Sequence, residues 1–177
     1  ENEWGHSGVR WQGEGIRLCS GWLLLACGAG CDVRLALGHE VTHLVIERFF
    51  GAGVPLWLNE GYAEYASNIC YAAFHRARGY ALRPTSRPVP AALFMPVAQL
   101  TGLMSYPLDP TQVTVFYHES ERLVRFLSGV DKRGFNAFLE AMSKGNPIET
   151  ALNKGFAGRF INLDALERDF RSYATQT

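Results

Sequence analysis

Apolar positions fall into helical periods over most of the chain. From Val33 to Phe50, residues Leu37, Val41, Leu44, Val45 and Phe49 recur every three or four places, the spacing of one helix face. Asp32 stands where an N-cap belongs, and Gly51 and Gly53 end the run. Pro55 introduces a second helical stretch, about 58–78, rich in Ala and Tyr. Residues 111–130 predict a third long helix, with Val115, Leu123, Val124, Phe126 and Leu127 on its apolar side. Shorter helices are expected over 97–103, 135–143, 148–154 and 164–173. Ahead of the first helix the pattern changes. Residues 9–11, 16–18 and 22–26 read as short β-strands, separated by Gly13, Gly15 and Gly21. Pro84, Pro88, Pro90 and Pro96 make 79–96 a loop or arm.

These elements predict an α+β fold, mostly helical, in a single domain spanning 1–177. A small N-terminal β-sheet within 1–32 is expected to pack on the first long helix. Two helices over 33–78, a loop-rich arm over 79–110 and a helical region over 111–177 complete it. No internal repeat or low-complexity segment interrupts the series.

Composition narrows the classes of function. A hydrophobic fraction of 47% against 19% charged residues supports a buried core in a chain of 177 residues. Lys plus Arg and Asp plus Glu both number 17, so the formal charge is zero and no basic surface points to nucleic acid. No apolar run is long enough to span a bilayer. Cys19, Cys27, Cys31 and Cys70 form an even set, open to disulfides in an exported protein or to buried thiols. With a first residue other than Met, the cysteines favour an extracytoplasmic or secreted location.

The chemistry concentrates in two segments. His39-Glu40-Val41-Thr42-His43 is an H-E-x-x-H motif on the first predicted helix. Four residues make about one turn, a rise of roughly 6 Å, so both imidazoles leave the same face. Two such nitrogens can grip one zinc ion, and Glu40 is placed to take a proton from a water that the metal activates. The second segment, Leu56-Trp57-Leu58-Asn59-Glu60-Gly61-Tyr62-Ala63-Glu64-Tyr65, follows, with sixteen residues separating His43 from Glu60. Glu60 can supply the third protein ligand that leaves a catalytic zinc one open position. Asn59 and Glu64 are placed to accept hydrogen bonds from the outer nitrogens of the imidazoles, Asn59 for His43 and Glu64 for His39. Read without a metal, the same residues are two ordinary histidines, a helix cap and surface carboxylates.

In these two segments the chain resembles the gluzincin zinc metallopeptidases. It looks closest to the peptidase MA-like group and shares W-L-N-E-G with the catalytic domains of the M1 aminopeptidases. The resemblance rests on residues 39–65. It implies a zincin-like fold, one Zn2+ per chain on His39, His43 and Glu60, Glu40 as general base, and a peptide or protein substrate. More weakly, Phe116-Tyr117-His118-Glu119-Ser120 is similar to the helix that follows the active site in these families. That similarity makes Tyr117 the candidate oxyanion donor and His118 a further candidate for substrate or oxyanion contact. Residues 1–38 hold no Gly-x-Met-Glu-Asn element to bind a free amine, so aminopeptidase activity is not carried over. Two other readings stay open: a zinc-binding module that does not cut, and a catalytic domain that needs a partner lobe.

Overall fold

The computed structural model describes residues 15–19, 22–26, 32–82 and 89–174, with side chains described over 32–82 and 89–174. Strands β1 (Gly15–Cys19) and β2 (Trp22–Ala26) form an antiparallel hairpin in which Arg17 faces Leu24. Helices follow: α1 (Val33–Phe50), α2 (Leu56–Ala77), α3 (Val97–Gly102), α4 (Pro110–Val130), α5 (Lys132–Ser143), α6 (Ile148–Phe156) and α7 (Leu163–Ala174). A 3-10 turn, Ala91–Leu93, lies in the arm before α3.

Local chemistry explains the helix ends. Asp32, Asp109 and Asp131 each turn a carboxylate back onto a backbone N–H of the first turn they open, at Arg34, Gln112 and Arg133. Gly51, at φ 74, lets the chain leave α1 in a left-handed conformation that other residues resist. Pro55 carries no N–H to satisfy, so α2 starts at Leu56, two residues before the sequence pattern placed it.

The α+β expectation is corrected by this arrangement. The fold is helical, and no sheet packs on α1 among the described residues. The two strands pair with each other and make no substantial contact with α1. Two five-residue strands bury too little surface to organise a domain, whereas helix-on-helix contacts can. The predicted strand at 9–11 lies outside the described residues, as do the side chains of Cys19, Cys27 and Cys31, while Cys70 is a free, exposed thiol.

A second correction concerns which face of α1 is buried. Val33, Leu37, Val41, Leu44, Val45 and Phe49 form the apolar stripe, yet they are exposed, Phe49 at 75%. The packed face carries Gly38, Thr42 and Ile46 against α2.

The core lies on the other side of α2. Trp57 and Leu58 at its start meet Phe116, Leu123 and Leu127 of α4, all essentially inaccessible. Phe138, Leu152, Phe160, Leu166 and Phe170 extend the same cluster through the C-terminal helices. Helix α2 thus packs α1 on one side and α4 on the other, which is what assembles the site. No helix among the described residues is long and apolar enough to cross a membrane.

Candidate metal centre

Two close helix crossings set the positions of the polar residues. A Cβ at Gly38 would sit 3.2 Å from the Ser67 Cβ, so α1 lies tight on α2 one residue before His39. A Cβ at Gly61 would sit 2.4 Å from the Ser120 carbonyl oxygen, an impossible approach. The glycine that follows Glu60 therefore lets α4 reach α2 and brings Tyr117 toward the histidines.

His39 and His43 point inward from successive turns of α1, with ring centroids 4.6 Å apart. Their Nε2 atoms are 2.9 Å from each other. Oε2 of Glu60 completes a triangle, 3.2 Å from His39 Nε2 and 3.5 Å from His43 Nε2. Glu60 is buried, and that oxygen accepts no hydrogen bond.

The outer side of each ring decides which nitrogen carries hydrogen. His43 Nδ1 donates to Asn59 Oδ1 at 3.1 Å. His39 Nδ1 lies 3.1 Å from Glu64 Oε1, close in charge but off the axis of a good hydrogen bond. Both outer neighbours are acceptors, which places hydrogen on Nδ1 and leaves the lone pairs on Nε2. Nε2 of each ring and Oε2 of Glu60 then face one another, an arrangement that a proton or a metal ion among them relieves. Tetrahedral ligands at zinc distances lie about 3.3 Å apart, and the three observed separations bracket that value. The His39, His43 and Glu60 group can hold a metal ion.

Protonation reports the same demand for positive charge. Burial opposes a proton on His39, but the adjacent carboxylates of Glu60 and Glu64 outweigh it and raise the pKa from 6.5 to about 10. Burial likewise opposes a proton on His43, and Glu60 again prevails, so its pKa is raised. Burial pushes the Glu60 carboxyl up, while the adjacent imidazoles of His39 and His43 and the Tyr106 hydroxyl overcome it and bring the pKa down to about 2.

Tyr117 comes near this cluster from α4, its ring 6.4 Å from that of His39. Its hydroxyl donates to Tyr106, and the Tyr106 hydroxyl donates to Glu60 Oε1 at 2.5 Å. Burial first, then the charge of Glu60, pushes both phenols well above their usual range, so both remain donors at neutral pH. Glu40 is half-buried, and its charge reaches Tyr106.

The structure therefore gathers His39, His43, Glu60, Asn59, Glu64 and Tyr117 in one place, with Glu40 beside them. It does not bring His118 there. That ring stacks on Phe94 and lies 3.4 Å from Glu119, whose carboxylate is fully buried against Arg171. Tyr106 is a site residue that the sequence reading missed. It lies in the loop between α3 and α4, where no periodic pattern or motif marks it. No family model matches the chain, and the searches of curated proteins and of solved structures found no match either.

Proposed function

We propose that this chain is a zinc-dependent peptidase of the gluzincin type, acting on a peptide or protein substrate. The observation that carries the reading is the convergence of two imidazole nitrogens and one carboxylate oxygen, with Glu40 one residue along from the first histidine. Among the described residues the site gathers three protein ligands, the donor number of a catalytic zinc site. Imidazole and carboxylate ligands suit zinc, although ligand type alone also admits manganese or cobalt.

Zinc held there supplies a Lewis acid that polarises a carbonyl and acidifies water. Within that frame Glu40 accepts the proton of the attacking water on a carboxylate oxygen and returns it to the leaving amine. The Tyr117 hydroxyl, released from Tyr106, donates to the carbonyl oxygen as negative charge develops there. Asn59 and Glu64 hold the two imidazoles in the tautomer that binds metal.

The exposed apolar face of α1 favours a second reading of how the activity is delivered. In it, the domain works with a partner lobe lying along the helix that carries H-E-x-x-H. Activity that appears only on addition of a larger segment or partner would distinguish this case.

Elemental analysis tests the metal first. The wild type is expected to carry about one zinc per chain, and Glu60→Ala to lose most of it. Glu40→Gln is expected to keep its metal and lose turnover on a peptide library by about 10²–10⁴-fold or more. Full activity in Glu40→Gln, or a wild type that takes up no metal when zinc is added back, would remove the peptidase reading.

A further inference from the structure

The two oxygens of Glu60 have different partners. Oε2 faces the histidines and accepts no hydrogen bond, while Oε1 takes the Tyr106 hydroxyl at 2.5 Å. A carboxylate's terminal torsion is soft, so without a restraint it can turn both oxygens toward a cation. Tyr106 supplies that restraint from outside the two helices that bear the ligands. Its own ring is clamped, edge-on to the buried Phe116 at 5.9 Å and stacked on Tyr117 at 6.1 Å. Its oxygen also accepts from Tyr117, so one hydroxyl touches both the carboxylate and the candidate oxyanion donor.

We propose that Tyr106 is a positioning residue that keeps Glu60 a one-oxygen ligand and so preserves an open position at the centre. This rests on the metal-site reading above and adds a residue to it. Tyr106 acts through Glu60, not on substrate. The loop joining α3 to α4 thereby controls the coordination number of a site built on α1 and α2.

The test uses the full chain, wild type and Tyr106→Phe, titrated with zinc alone and with cobalt(II) alone. Loss of the hydroxyl keeps the ring and its packing. The variant is expected to bind one metal about 10–100-fold more weakly. Its cobalt absorption is expected to lose intensity, as a second carboxylate oxygen enters and the coordination number rises. The metal-free proteins are expected to melt together. Equal zinc affinity with identical cobalt spectra overturns the proposal. So does a metal-free variant that melts well below the wild type with an unchanged spectrum, because the hydroxyl then serves folding. A wild type that binds neither metal removes the metal site and this inference with it, an outcome distinct from a difference confined to the variant.

Discussion

At the residue scale, the site is an exercise in placing acceptors. Asn59 and Glu64 each face an imidazole Nδ1, but they are not equivalent. The Glu64 side chain is 36% exposed, so water can take over its role, whereas Asn59 sits between helices and is half-buried. Asn59→Ala is therefore expected to weaken zinc binding by about 10–100-fold, and Glu64→Ala by less. Competition against a coloured chelator measures both, and an Asn59→Ala protein with wild-type affinity would remove the role given to that amide. H-E-x-x-H and N-E-G were readable as residues because their chemistry is carried by side-chain type and short spacing. Tyr106 was not, because its partner Glu60 is 46 positions away and only the folded loop joins them.

Elements are held at the site by small residues. Gly61 is the clearest case, since any side chain there runs into the Ser120 carbonyl. Alanine gains up to about 1 kcal/mol over glycine in a helix interior, but the overlap forces α2 and α4 apart. Gly61→Ala is expected to lose about 1–3 kcal/mol net, read from urea unfolding. It is also expected to lower turnover by displacing Tyr117. A variant as stable and active as the wild type would show that the crossing is looser than it looks. Helix positions were legible from sequence. The pattern placed α1 at Val33–Phe50, where the structure has it, and the other helices within a few residues. Capping aspartates and terminal glycines act locally, which is why they can be read from a short window. The inward face of α1 was not legible. Its apolar stripe has the stronger periodicity, yet the opposite face packs, because Gly38 lets α1 lie close on α2 and Thr42 and Ile46 fill the contact.

The whole molecule is tied together by a buried charge pair. Glu119 of α4 is fully buried and bonds Arg171 of α7 at 2.6 Å. Arg171 also reaches Glu167 and the Met95 carbonyl, and Glu167 accepts from the Val97 N–H that opens α3. Arg171→Met leaves a carboxylate buried with little compensation and is expected to cost about 3–5 kcal/mol, or roughly 10 °C in Tm. Calorimetry decides it, and a Tm within experimental error of wild type would show that the pair contributes little. Metal removal is expected to be milder. The main cluster is built by α2, α4 and the C-terminal helices, so a chelator lowers the melting temperature without unfolding the chain. Metal at a hundredfold excess over Kd adds about 2.7 kcal/mol, or roughly 5–10 °C for a chain of this size. Loss of all helical signal on chelation would mean that the metal is structural.

Two levels of specification follow. The helices, their caps and the two motifs that can bear a metal are written locally in the chain, because each depends on residues within a few turns. Tertiary packing set the rest: among the described residues no sheet covers α1, Glu60 turns one oxygen to the histidines, and Tyr106 and Tyr117 meet beside it. Those outcomes depend on contacts between segments far apart in the chain. Packing, and the need to pair every buried polar group, selects among many arrangements that the local pattern allows equally.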